Sequence, residues 1–140
     1  MLSVTRLDAN DADILIAGAV AHAEQIGVPM CIAITDEAGQ LIAFRRMDGG
    51  KVTSSTIAID KAFTAAGAKK ATHEYGAASQ PGAAAYGIAS AIGGRLMVVG
   101  GGLPVIVRDA VVGGIGVSSG TPDQDRAVAQ AGIDAFLAQL

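Results

Sequence analysis

Charge and cysteine are both scarce in this chain. Asp, Glu, Lys and Arg make up 16% of its 140 residues, against roughly 25% in an average globular protein. The ten Lys and Arg form no long run and the net charge is −3. No stripe of cations is there to neutralise phosphates, so nucleic acid is not an expected partner. A lone cysteine, Cys31, rules out an internal disulfide and fits a reducing compartment. Two histidines and one cysteine, without paired ligand spacing, argue against a dedicated zinc site. The first residues lack a basic segment leading into an apolar stretch, and Asp8, Asp11 and Asp13 follow. No signal peptide is therefore expected, and the expected location is cytoplasmic. Long apolar runs are missing too. Ile14 to Ala23 is too short to span a bilayer, and Tyr75 to Gly94 is Ala/Gly-rich and broken by Pro81, so no membrane span is expected.

Apolar residues are nevertheless plentiful, at 51% with a mean hydropathy of +0.44. A monomer of this composition runs short of polar groups to cover itself, which points to a homo-oligomer with part of the apolar surface at a subunit interface. The length fits one domain over residues 1–140, within the usual range of roughly 100–200. Glycine is frequent as well, with 19 residues, and its placement is informative. From Val111 to Ser118 a two-residue period separates an apolar face (Val111, Ile115, Val117) from a nearly bare one (Gly114, Gly116, Ser118). Just upstream, Gly100-Gly101-Gly102-Leu103-Pro104 repeats the demand for unobstructed backbone. Glycine inside a strand is tolerated where a backbone, a helix or a ligand comes close, and the expectation is a small-molecule pocket over this bare face.

The elements can be placed from their punctuation. Asp8 is positioned to cap a helix that stops at Gly27-Val28-Pro29. Met30 to Thr35 and Leu41 to Met47 flank Asp36-Glu37-Ala38-Gly39 and predict a β-hairpin. Val52, Ile59, Phe63 and Ala66 recur at helical spacing and predict the buried stripe of a second helix. Ala71 to Gly94 reads as short helical turns and a loop around Pro81. Three strands are expected next: Leu96 to Val99, Leu103 to Arg108 and Val111 to Ser118. Thr121-Pro122-Asp123-Gln124 combines a Thr cap, an early Pro and a Gln three residues after the cap. It opens a last helix with Ala129, Ile133, Phe136 and Leu140 inward. The order predicts an α+β fold, a five-stranded, mainly antiparallel sheet with helices packed on it.

Taken together, several segments resemble the GlcG/HbpS family, which includes the carboxy-terminal domain of PduO-type adenosyltransferases. They are Ala21-His22-Ala23-Glu24-Gln25-Ile26-Gly27-Val28-Pro29, Asp36 to Leu41, Arg46-Met47-Asp48-Gly49, Lys61-Ala62, Gly100 to Pro104, and Gly113 to Ser118 with Gln124-Asp125. The resemblance spans nearly the whole chain. It implies a profilin-like α/β/α arrangement, assembly into homo-oligomers and, as in several relatives, binding of haem or a related tetrapyrrole. The chain departs from the family where relatives usually have a glycine in the last hairpin turn; here it reads Arg108-Asp109-Ala110.

Two functional readings follow. In the first, an oligomeric protein binds haem or another flat molecule. His22, on the face of Leu15 and Ile26, is the iron ligand, and the resemblance to the PduO branch implies a histidine in that role; the competing account is a buried histidine bonded to a carbonyl. Lys61 or Arg46 meets the propionates, while Gly101, Gly102, Gly114, Gly116 and Ser118 line the approach. In the second, a lyase or isomerase without organic cofactor acts on a small carboxylate or aromatic intermediate through Lys61, His73 and Glu74. Lys61 shares a helical face with Ser54, Ala58 and Ala65, where it binds an anion, acts as a base, or pairs with an acid across an interface. Asp36 is assigned to its turn. The segment from Gly114 to Gly120 is not a dinucleotide loop, because Ser119 stands where the third glycine belongs and no strand follows.

Overall fold

The computed structural model describes all 140 residues. Helix α1 (Ala9–Ile26) begins in a reciprocal capping box between Asp8 and Asp11 and ends at Gly27, whose φ of 70° suits a residue without Cβ. Strands β1 (Cys31–Asp36) and β2 (Leu41–Arg46) form the expected hairpin. The Asp36 carboxylate accepts from the amides of Ala38 and Gln40 and closes the turn. Helices α2 (Ser54–Ala68) and α3 (Thr72–Ala78) follow, then two single 3₁₀ turns at Ile88–Ser90 and Ile92–Gly94. Strands β3 (Gly102–Val107) and β4 (Ala110–Ser118) make a second hairpin. Its turn residues Arg108 and Asp109 both have positive φ, 51° and 65°, the twist that two-residue hairpin turns require. Helix α4 (Pro122–Leu137) starts in the Thr121–Gln124 capping box.

The four strands run in the order β2-β1-β4-β3, every neighbour antiparallel. The fold is thus α+β with an open antiparallel sheet, but four strands replace the expected five. Residues Leu96 to Val99 form no strand. The Met97 amide donates instead to the Thr64 hydroxyl, and the Val98 carbonyl lies against Gly76 of α3, so this stretch is tied to helices rather than to a sheet edge.

Alternation divides the sheet into two faces. Ile32 and Ile34 of β1, Val105 of β3, and Ile115 and Val117 of β4 point into the main core, where Leu15, Ile16, Val20, Val128, Ile133 and Phe136 of α1 and α4 meet them. On the other side Cys31 and Ala33 pack with Ala58 and Ala62 of α2. The layers are α1/α4, sheet, α2. The predicted stripe of α2 needs correction: its buried residues are Ser54, Ala58, Lys61, Ala62, Thr64, Ala65 and Ala66, Ile59 and Phe63 are half-buried, and Val52 is exposed. A helix settling onto a glycine face turns its small residues inward, and size then outweighs hydrophobicity in choosing the face. On α4 Ala129, Ile133 and Phe136 are buried as expected, while Leu140 lies beyond the helix and is exposed. No helix is long and apolar enough to cross a membrane.

Candidate functional site

The space expected over the bare face of β4 is filled by α2. A Cβ at Gly116 would drive into the Ala58 carbonyl oxygen and lie 2.5 Å from the Ala62 nitrogen. One at Gly114 would lie 2.5 Å from the Ala62 carbonyl oxygen and 3.0 Å from the Ala66 Cβ. At Gly102 a Cβ would meet the Thr72 Cγ2 at 2.5 Å and the Lys61 carbonyl oxygen at 2.6 Å, and at Gly101 it would run into the Val117 carbonyl oxygen of β4, with Asp125 Cβ and Lys61 Nζ each 2.8 Å away. Ser118 is buried in the same seam. Gly102, Gly114 and Gly116 therefore admit the backbone of α2 and Gly101 admits the Lys61 and Asp125 side chains, so the pocket expected over them within one chain is corrected to a helix seat. None of the cavities of the chain is lined by Gly101, Gly102, Gly114, Gly116, Lys61 or His22.

Lys61 belongs to this seam. Its side chain is 1% exposed and its ammonium donates to the Val117 carbonyl at 2.8 Å and to Asp125 Oδ2 at 3.0 Å. Asp125 Oδ1 in turn accepts from the Gly120 amide at 2.8 Å. One ion pair so ties α2 to β4 and to the first turn of α4. Burial pushes the Lys61 ammonium below its ordinary range and the Asp125 carboxyl above its own, and their mutual attraction opposes both shifts. A lysine held this way has no free face for a propionate or a substrate. Of the readings open for Lys61, pairing with an acid is the one observed, and the acid comes from its own chain. Nothing in the pattern around Asp125 announces that role: it has the look of a solvent-facing acid complementing the helix start, and the 64 positions between it and Lys61 carry no local signal.

The other expected residues do not converge. His22 is half-buried on α1, beside the stripe Leu15, Ala19 and Ala23 that faces the core. Arg46 is paired with Cys31 and Arg45 with Ile32. Directly opposed residues share a sheet face, which puts Arg46 on the α2 side and Arg45 on the α1 side with His22. His73 and Glu74, at the start of α3, line one groove of about 340 Å³ beside β3 and α4. The Nδ1 atom of His73 is buried without a hydrogen-bond partner. Arg126, which lines the same groove, is a residue that sequence reasoning missed, because only the packing of α4 beside β3 brings it there.

An antiparallel sheet between one helical layer of two long helices and another seated on glycines, with an imidazole half-open on the first helix, defines the class: a small α/β/α domain. Residues 7–134 match the family described as haem degrading protein HbpS-like, and the chain belongs to that family. It is 42% identical over 116 residues to the uncharacterized 15.0 kDa protein in the dhaT-dhaS intergenic region of Citrobacter freundii, covering 83% of this chain and 82% of that protein. It is 40% identical over 122 residues to the corrinoid adenosyltransferase PduO of Citrobacter freundii. That match covers 87% of this chain but spans 36% of the longer protein. Among solved structures, a PduOC:heme complex superposes with a TM-score of 0.90 at 37% identity, over 94% of this chain and 95% of the other.

Proposed function

We propose that the protein binds haem, or another flat tetrapyrrole, at a boundary between identical subunits, where the His22 imidazole would hold the iron. The observation that carries this reading is the match along nearly the full chain to a domain whose structure contains haem. The residues present fit that role in kind. An imidazole is the common protein ligand of haem iron, and His22 is half-buried rather than sealed in the core. When bound, haem would contribute a redox-active iron. The chain's own part is to hold that iron at an imidazole nitrogen, to cover the macrocycle with apolar surface and to meet its carboxylates with cations. Arg45 shares the sheet side of His22 and is better placed than Arg46 for the last task.

A second protomer is the natural source of the missing wall. No cavity within the chain adjoins His22, and large apolar side chains remain exposed away from the β3 edge, among them Leu41, Val52, Tyr86 and Ile92. Apolar surface of this kind is what a self-associating protein covers. Cytoplasmic residence, as the lone buried thiol of Cys31 suggests, is part of the same proposal.

Titration of the purified chain with haemin, followed by its Soret absorption, tests the reading. A saturable shifted band that disappears in His22→Ala is the expected result, with light scattering showing an oligomer. A band unchanged in His22→Ala, or no saturable band in the wild type, overturns it.

A further inference from the structure

The groove at the open edge of the sheet is separate from the proposed haem site and carries its own chemistry. Its floor is β3, with Leu103 and Ile106; its wall is α4, with Arg126 and Ile133; its end is the start of α3, with His73 and Glu74. At about 340 Å³ it sits at the low end of ligand cavities, which run from roughly 300 to 1,000 Å³, and so suits a compact molecule. The apolar floor asks for an apolar body. The polar groups specify the rest.

Arg126 is exposed on α4 and takes part in none of the chain's ion pairs, which join Arg6 to Asp36 and Glu37, Lys61 to Asp125, and Arg95 to Asp60. Its guanidinium is therefore free to grip a carboxylate through two parallel hydrogen bonds. His73 buries Nδ1 without a partner. A lone pair is the less costly thing to bury there, since an N–H would be a wasted donor, and the proton then sits on Nε2 as a second donor for the ligand. Glu74 places a negative charge in the same groove and disfavours a second carboxylate. Pro104 lacks an amide hydrogen and interrupts the donor row that an added peptide strand would use.

We propose that this groove binds a small monocarboxylate with a compact apolar body, its carboxylate held by Arg126 and His73. Benzoate is a suitable probe, with succinate as the dicarboxylate comparison. The chain has two histidines, so a long-range ¹H–¹⁵N spectrum of the imidazole rings contains two patterns, assigned with His22→Gln. The free protein is expected to show His73 protonated at Nε2. Benzoate shifts that pattern saturably, leaves His22 unmoved, and acts equally on the His22→Gln variant, which keeps this result independent of haem binding. Succinate binds more weakly. Arg126→Gln, on an exposed helix face, retains its thermal midpoint and weakens benzoate by roughly tenfold or more. The proposal is overturned by His73 protonated at Nδ1, by no saturable shift, by equal shifts from chloride at matched ionic strength, by an unaltered response in Arg126→Gln, or by shifts that follow protein concentration instead of benzoate, which would mean that a second copy fills the groove.

Discussion

The two faces of the sheet are built on opposite principles. Toward α1 and α4 it presents Ile32, Ile34, Val105, Ile115 and Val117, and branched side chains interlock with Leu15, Val128 and Phe136. Toward α2 it presents Cys31, Ala33, Gly114 and Gly116, and the helix comes down until its backbone touches the strand. The first face is stabilised by buried apolar area. The second buries little side chain and gains instead from close backbone approach, with the Lys61–Asp125 pair fastening it at one end. Hydrophobic surface tolerates small errors of shape, whereas a glycine seat tolerates none.

The ion pair is where the second face is easiest to break. Lys61→Met or Asp125→Leu alone leaves an uncompensated charge in the interior and should cost about 3–5 kcal/mol in denaturant unfolding, while the double substitution should cost less than either single one. Equal costs that simply add would show that the pair is not coupled. Its pH dependence has a definite sign. Because the folded-state pKa of Asp125 is raised, its contribution to stability falls as pH rises from the ordinary carboxylate range toward that raised value. Because that of Lys61 is lowered, its contribution recovers as pH rises from the lowered value toward the ordinary lysine range. Relative to the double variant, the wild type should therefore be least favoured between the raised carboxyl value and the lowered ammonium value, and regain ground on either side of that window. A difference flat with pH would contradict the shifts.

Two neighbouring positions on β4 sharpen the contrast further. Gly116→Ala adds one carbon against the Ala58 carbonyl and should cost about 3 kcal/mol or more, since the obstacle is backbone that cannot rotate away. Ile115→Val removes one carbon from the main core and should cost about 0.5–1.5 kcal/mol. Similar losses in the two variants, measured by the urea midpoint, would erase the distinction between the faces. The smallest effect is expected at Gly67, which also lies in α2 but has open space, with no atom within 4 Å, where a Cβ would stand. Gly67→Ala should raise stability by about 0.5–1 kcal/mol through helix propensity alone, and a loss there would mean that α2 is crowded on its outer side as well.

Local chemistry was legible in the chain, and long-range contact was not. The Asp8 and Thr121 caps, the Asp36 turn and the first hairpin depend on residues within a few positions of one another, and they stand where the sequence puts them, while the second hairpin turns at Arg108-Asp109, one residue earlier than the expected strands Leu103 to Arg108 and Val111 to Ser118 imply. The bare face of β4 was legible as a demand for close approach, but glycine does not say whether a ligand or a helix answers it. Ala58, Ala62 and Ala66 of α2 were the available clue, since small residues there complement small residues on the strand, yet hydrophobic periodicity drew attention to Val52, Ile59 and Phe63. Along any strand Arg45 and Arg46 must face opposite ways, but which of them shares a side with His22 is fixed only by the register against β1. Leu96 to Val99 has the composition of a strand, and the Thr64 hydroxyl that claims its backbone lies 33 positions from Met97.

The glycine seat also governs which parts of the molecule can breathe. A helix touching a strand through backbone cannot slip by one residue, because Ile59 or Phe63 would then be carried toward positions where even a methyl group does not fit. Amides along this seam should exchange with solvent only when the whole domain opens, leaving local opening to the largely exposed segment that runs from α3 through the 3₁₀ turns to β3.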